Sequence, residues 1–124
     1  MKFVELLFSK VSDLKIKTPG TGFDNDYDHA VEEWFEICKA KRVYRGAFRR
    51  DRKLKNEETL RAYRQAKAHL REEVLDLVIC CVAMFISLGG DFVEFEETIA
   101  RKLGKWEQSL KHPGGDRGGD PVVF

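Results

Sequence analysis

The run Glu72-Glu73-Val74-Leu75-Asp76-Leu77-Val78-Ile79-Cys80-Cys81-Val82-Ala83-Met84-Phe85-Ile86-Ser87-Leu88 is the most apolar part of the chain and holds one acid, Asp76, within it. It is expected to form the buried helix on which the rest packs. A carboxylate in such a helix needs a partner, because an unpaired charge in apolar surroundings is costly. Glu73 lies three residues earlier, on the same helical face. Two acids on one buried face repel, and a divalent cation is the simplest remedy.

Working outward, the 124 residues suit one domain. Hydrophobic residues at 43% beside charged residues at 35% point to amphipathic helices rather than to a disordered chain. Proline is scarce and the middle is rich in Glu, Lys, Leu, Arg and Ala, so an all-α fold is expected. Residues 2–14 read as a first helix, carrying Phe3, Leu6, Leu7, Val11 and Leu14 at helical spacing. Residues 15–22 are expected to break this helix as a loop with Pro19, Gly20 and Gly22, and Asp24-Asn25-Asp26 offers N-cap residues for a second helix over 27–42. The basic stretch that follows, an insertion at about 42–56, holds Gly46 and is expected to be a loop or a frayed helical arm. Asn56 caps a third helix. Unbroken from 57 to 88 it would measure about 48 Å, so a kink or a break near 69–71 is expected. Gly89-Gly90 ends it, and Asp91 caps a fourth helix running to about Leu110. The domain is taken as 1–110, followed by a flexible Gly-rich tail over 111–124.

The net charge of +1 selects no partner class. Cys38, Cys80 and Cys81 sit in apolar contexts, which fits reduced thiols and a cytoplasmic protein. No leader peptide and no membrane span are expected: Glu5 interrupts the first apolar run, and the longest run is short of about 18 residues.

Two predicted helices carry acids at one-face spacing, Glu32-Glu33-x-x-Glu36 and Glu73-x-x-Asp76. Packed antiparallel, they would set several carboxylate oxygens around one cavity, a donor set suited to Mg²⁺ or Mn²⁺. No His or Cys cluster has zinc spacing, and His29 alone reads as a packing residue. A nucleobase needs a flat apolar surface, for which Trp34, Phe23 and Phe8 are candidates, with backbone groups of residues 18–22 to read base edges.

This combination resembles the MazG-like all-α nucleoside triphosphate pyrophosphohydrolases, whose relatives include dimeric dUTPase and phosphoribosyl-ATP pyrophosphatase. The resemblance spans roughly residues 27–108. It is carried by EExxE at Glu32, Glu33 and Glu36, by Glu72-Glu73-Val74-Leu75-Asp76-Leu77-Val78-Ile79, by Leu88-Gly89-Gly90-Asp91 and by Arg101-Lys102-Leu103-Gly104-Lys105. It implies a four-helix unit completed by assembly into a homodimer or homotetramer. It also implies Mg²⁺ (or Mn²⁺) held by Glu33, Glu36, Glu73 and Asp76, with Glu32 as a further ligand or base. Glu32 or Glu36 would take a proton from the attacking water. Lys102 and Lys105 would meet substrate phosphate, with Arg45 of the basic insertion as a further cation. The implied reaction cleaves a (d)NTP between the α- and β-phosphates to a (d)NMP and pyrophosphate, with (d)GTP as the favoured substrate. The chain departs from the family in the longer separation of Glu36 from Glu73 and in Trp106 and Ser109, where Asn and Arg are usual. The competing expectation is a non-catalytic helical interaction protein whose basic arm binds nucleic acid or an acidic partner. Under the enzyme reading nucleic acid is not an expected partner, since no recognised motif surrounds that arm.

Overall fold

The computed structural model describes residues 2–17 and 22–111, and these are all-α: α1 Lys2–Lys17, α2 Phe23–Leu54, α3 Glu57–Ser87 and α4 Phe92–Lys111. No single helix among the described residues is long and apolar enough to cross a membrane. Residues 15–17, expected to open a loop, instead continue α1. Residues 18–21 and the tail from 112 onward, where base-reading backbone groups and a flexible end were expected, lie outside the described residues.

Helix α2 corrects the expectation of a loop at 42–56. It is 32 residues long, running through Gly46 to Leu54, and only Lys55 and Asn56 separate it from α3. The Arg, Lys and Ala of this stretch are good helix formers, and one interior glycine costs only about 1 kcal/mol. Packing on α3 offsets that cost. The Tyr44 and Tyr63 rings stack at 5.7 Å, and Phe48 lies 5.6 Å from Tyr63. The N-terminus also differs: α2 starts at Phe23 behind Gly22, which provides no side-chain cap. Asp24 and Asp26 instead fall in the first turn, where negative charge suits the helix dipole.

The turn between α2 and α3 is tightly specified. Lys55 takes the left-handed conformation (φ 48°) and donates its N–H to the Asp51 carbonyl at 2.9 Å. Asn56 Oδ1 accepts the Thr59 N–H at 2.8 Å, and Thr59 Oγ1 accepts the Asn56 N–H at 3.2 Å, a reciprocal capping box. The Thr59 hydroxyl also lies 3.1 Å from Asp51 Oδ1, which ties the two helix ends together.

Helix α3 is continuous over 31 residues, so of the kink or break expected near 69–71 the break is absent. A helix this long is supported because α2 is equally long and runs antiparallel beside it. The partners fall in reverse order along the pair: Asp51 with Thr59, Tyr44 with Tyr63, and Asp26 with Ser87. Helix α1 packs on the C-terminal part of α3, with Phe8 edge-on to Phe85 at 6.1 Å.

The 74–88 run is not the deeply buried helix expected. Val82 alone within it is buried, Asp76 is exposed, and Leu75 is 62% exposed. A helical hairpin covers one face of α3, and α1 covers only part of the remainder. Gly89 follows α3 with φ 85°, a conformation that glycine adopts without strain. The chain divides there into two compact units that meet at Gly89–Gly90. In the second unit the Glu94 N–H donates to Asp91 Oδ1 at 2.8 Å, the expected cap of α4.

Candidate metal centre

The antiparallel register of α2 and α3 brings Glu33 opposite Glu73 and Asp76. One carboxylate oxygen from each lies within 4.8 Å of the other two. Glu33 and Glu73 are half-buried and Asp76 is exposed. Burial raises the Glu33 pKa above its ordinary 4.5, and the charges of Asp76 and Glu73, a hydrogen bond with Glu73 and the charge of Glu36 push it further the same way. Three acids held this close repel one another, and a cation placed among them would relieve that repulsion.

The donor set decides the class of ion. Three carboxylates from two helices are hard oxygen ligands, suited to Mg²⁺, Mn²⁺ or Ca²⁺. Cys80 lies near the same acids but is a poor thiolate ligand. Burial pushes its pKa up, and Glu33, Cys81, Asp76 and Asp26 add to the shift. All three cysteines are free. His69 Nε2 stands 3.6 Å from Glu73 Oε1 at the edge of the cluster. Sequence reading missed this neighbour, although the i, i+4 spacing from His69 to Glu73 signals it.

The other expected site residues fall into separate places. Glu36 is exposed, pairs with Lys39 at 3.3 Å and acts on Glu33 through its charge. Glu32 is exposed and is not one of the three clustered acids. Arg45 is exposed on α2, twelve residues past Glu33, about 18 Å along the helix. Lys102 and Lys105 are exposed on α4, in the second unit. Trp34 is 54% exposed, and Phe23 packs against Tyr27 at the start of α2, ring centroids 6.1 Å apart.

A second polar cluster, not anticipated, lies at the open end of the α2–α3 pair, about 10 Å along α2 from Glu33. Asp26 is buried and accepts hydrogen bonds from Lys15 Nζ, at 2.5 Å, and from the Ser87 hydroxyl. One carboxylate therefore joins α1, α2 and α3. Burial alone would raise the Asp26 pKa, but the bonds from Lys15 and Ser87, with the positive charge of Lys15 and then His29, more than offset it, and the pKa is lowered. His29 thus acts on the Asp26 cluster.

Comparison with protein-family models, with curated proteins and with solved structures finds no match to this chain.

Proposed function

We propose that the protein is a divalent-metal-dependent (d)NTP pyrophosphohydrolase of the MazG-like kind, yielding a (d)NMP and pyrophosphate. The observation that supports this most directly is the meeting of Glu33, Glu73 and Asp76 across two antiparallel helices. These acids come from the two motifs, EExxE and ExxD, that carry the family resemblance. Glu33, Glu73 and Asp76 would hold Mg²⁺ or Mn²⁺. When bound, the ion neutralises phosphate charge and lowers the pKa of a bound water. Glu36, next along the α2 face, would accept the proton of that water, with Glu32 as the alternative base. Lys102 and Lys105 are the proposed phosphate contacts, and (d)GTP the favoured substrate.

Assembly into a homodimer or homotetramer belongs to the same proposal. It is supported by Leu75, Val78 and Ile79, exposed on the helix that carries Glu73 and Asp76. A second copy laid there would bury them. A cytoplasmic location, consistent with three free cysteines, is part of the same reading.

The test is pyrophosphate release from a panel of nucleotides with Mg²⁺ or Mn²⁺. Glu73→Gln and Asp76→Asn are each expected to lower turnover by about 100-fold or more, as befits loss of a metal ligand. Wild-type-like turnover in both variants ends the proposal.

A further inference from the structure

Residues 39–71, the closed end of the α2–α3 hairpin, hold thirteen Lys and Arg against three acids, a net of +10 in a chain whose total is +1. The remainder of the chain is therefore acidic, and the charge is segregated along the hairpin. The basic end is ordered helix, not the frayed arm expected from its composition.

The arginines share a face. On α2, Arg42, Arg45, Arg49 and Arg52 recur at i, i+3, i+7 and i+10, a stripe about 15 Å long. On α3, Arg61, Arg64 and Arg71 repeat the pattern. The two helices meet at Tyr44 and Tyr63, and each stripe is centred about 100° around its helix from that contact, in the same rotational sense. In an antiparallel pair, equal rotation in the same sense brings both stripes to one side. The residues rotated the other way confirm this geometry: Val43, Ala47 and Arg50 of α2 line one groove jointly with Glu58, Thr59 and Ala62 of α3. By the same construction Glu36, Glu73 and Asp76 lie on that opposite side, so the acids and the arginine face point apart.

All seven arginines are exposed, and among the described residues none makes an ion pair. Unneutralised arginines packed this closely repel one another, and an external polyanion relieves the repulsion. A triphosphate is too small to use a face extending over about 15 Å; a duplex presents about one charge per 1.7 Å of its axis. Single-strand binders need free aromatic platforms. Within residues 39–71 the aromatic rings, Tyr44, Tyr63 and Phe48, are packed on one another, with Arg52 at 5.6 Å over Phe48 and Lys67 at 5.2 Å over Tyr63. We infer that the arginine face of the hairpin binds the phosphate backbone of duplex DNA, without reading sequence.

The test is fluorescence anisotropy with a labelled 20-base-pair duplex in EDTA, which keeps the acid cluster metal-free. Binding should weaken steeply with salt, with a log–log slope of about −4 or steeper. Arg61→Gln with Arg64→Gln should shallow that slope by about 2, while Arg61→Lys with Arg64→Lys should hold affinity within a few-fold. Circular dichroism of each variant confirms that the helices persist. A flat salt response, unchanged binding by the Gln pair in a folded protein, or equal or tighter binding of single-stranded DNA or polyglutamate each overturns the inference. None of these readouts depends on nucleotide hydrolysis, so this surface and the proposed activity fail separately.

Discussion

Glu33 is the residue at which the acid cluster can be tested without any substrate. Its pKa is raised above 4.5 in the folded chain, so below that pH its protonated form carries no penalty. As pH rises through the raised pKa the carboxyl ionises beside Glu73 and Asp76, and stability is lost. Glu33→Gln should therefore melt at a higher temperature than the wild type at pH 7.5 in EDTA. The order should reverse with Mn²⁺, since a ligand at 100 times its Kd stabilises the native state by about 2.7 kcal/mol. Thermal melts with and without Mn²⁺ at pH 5 and 7.5 give the answer. Asp26 behaves with the opposite sign. Its pKa is lowered, so its contribution is complete above about 3.8 and is lost as pH falls below that value. Asp26→Asn removes the carboxylate charge that faces the Lys15 ammonium and weakens a charged hydrogen bond, which should cost about 2 kcal/mol at neutral pH and flatten the acid limb of stability. Urea denaturation across pH 3 to 7 measures both effects.

At the scale of the element, α2 is the part of the chain that rewards a backbone change. A Cβ built on Gly46 meets nothing within 4 Å, and the residue sits inside a continuous helix. Gly46→Ala should stabilise the protein by about 0.8–1 kcal/mol, read as a shift of the urea midpoint at constant slope. Destabilisation instead would show that the glycine is needed for a close approach by another chain. The helix was half legible. Ala30 and Ile37, at helical spacing, are buried, but such apolar spacing thins beyond 42. There the packing residues are Tyr44 and Phe48, spaced among arginines, and the period is drowned by charge. Helix α3 was misjudged for the complementary reason. Its length looked unsupportable until α2 was seen to be as long.

For the whole molecule, the chain leaves more apolar surface open than a closed core would. No side chain among the described residues is fully buried, and Leu75, Val78 and Ile79 stand open on α3. Under the proposed assembly, sedimentation should report a dimer or tetramer for the wild type. Leu75→Glu should move it toward monomer with the helical signal retained, because a charge on an apolar interface costs far more there than in water. A wild type that sediments as a monomer removes the assembly from the proposal.

What the sequence determined by itself was local. Composition and helix-former content set an all-α chain. Asn56, Gly89 and Asp91 marked helix ends because capping depends on near neighbours in the chain. The one-face spacing of Glu32, Glu33 and Glu36 and of Glu73 and Asp76 was also readable, since 3.6 residues make a turn. Only the tertiary structure decided which acids meet. Register between two helices depends on the turn at Lys55–Asn56, and it selects Glu33 while leaving Glu32 outward. Likewise Asp26 looked like a cap, and its role in joining three helices arises from contact with Lys15 and Ser87, the latter 61 residues away. The exposure of Asp76 belongs to the same class, because burial is a property of what packs on a helix and not of how apolar that helix is.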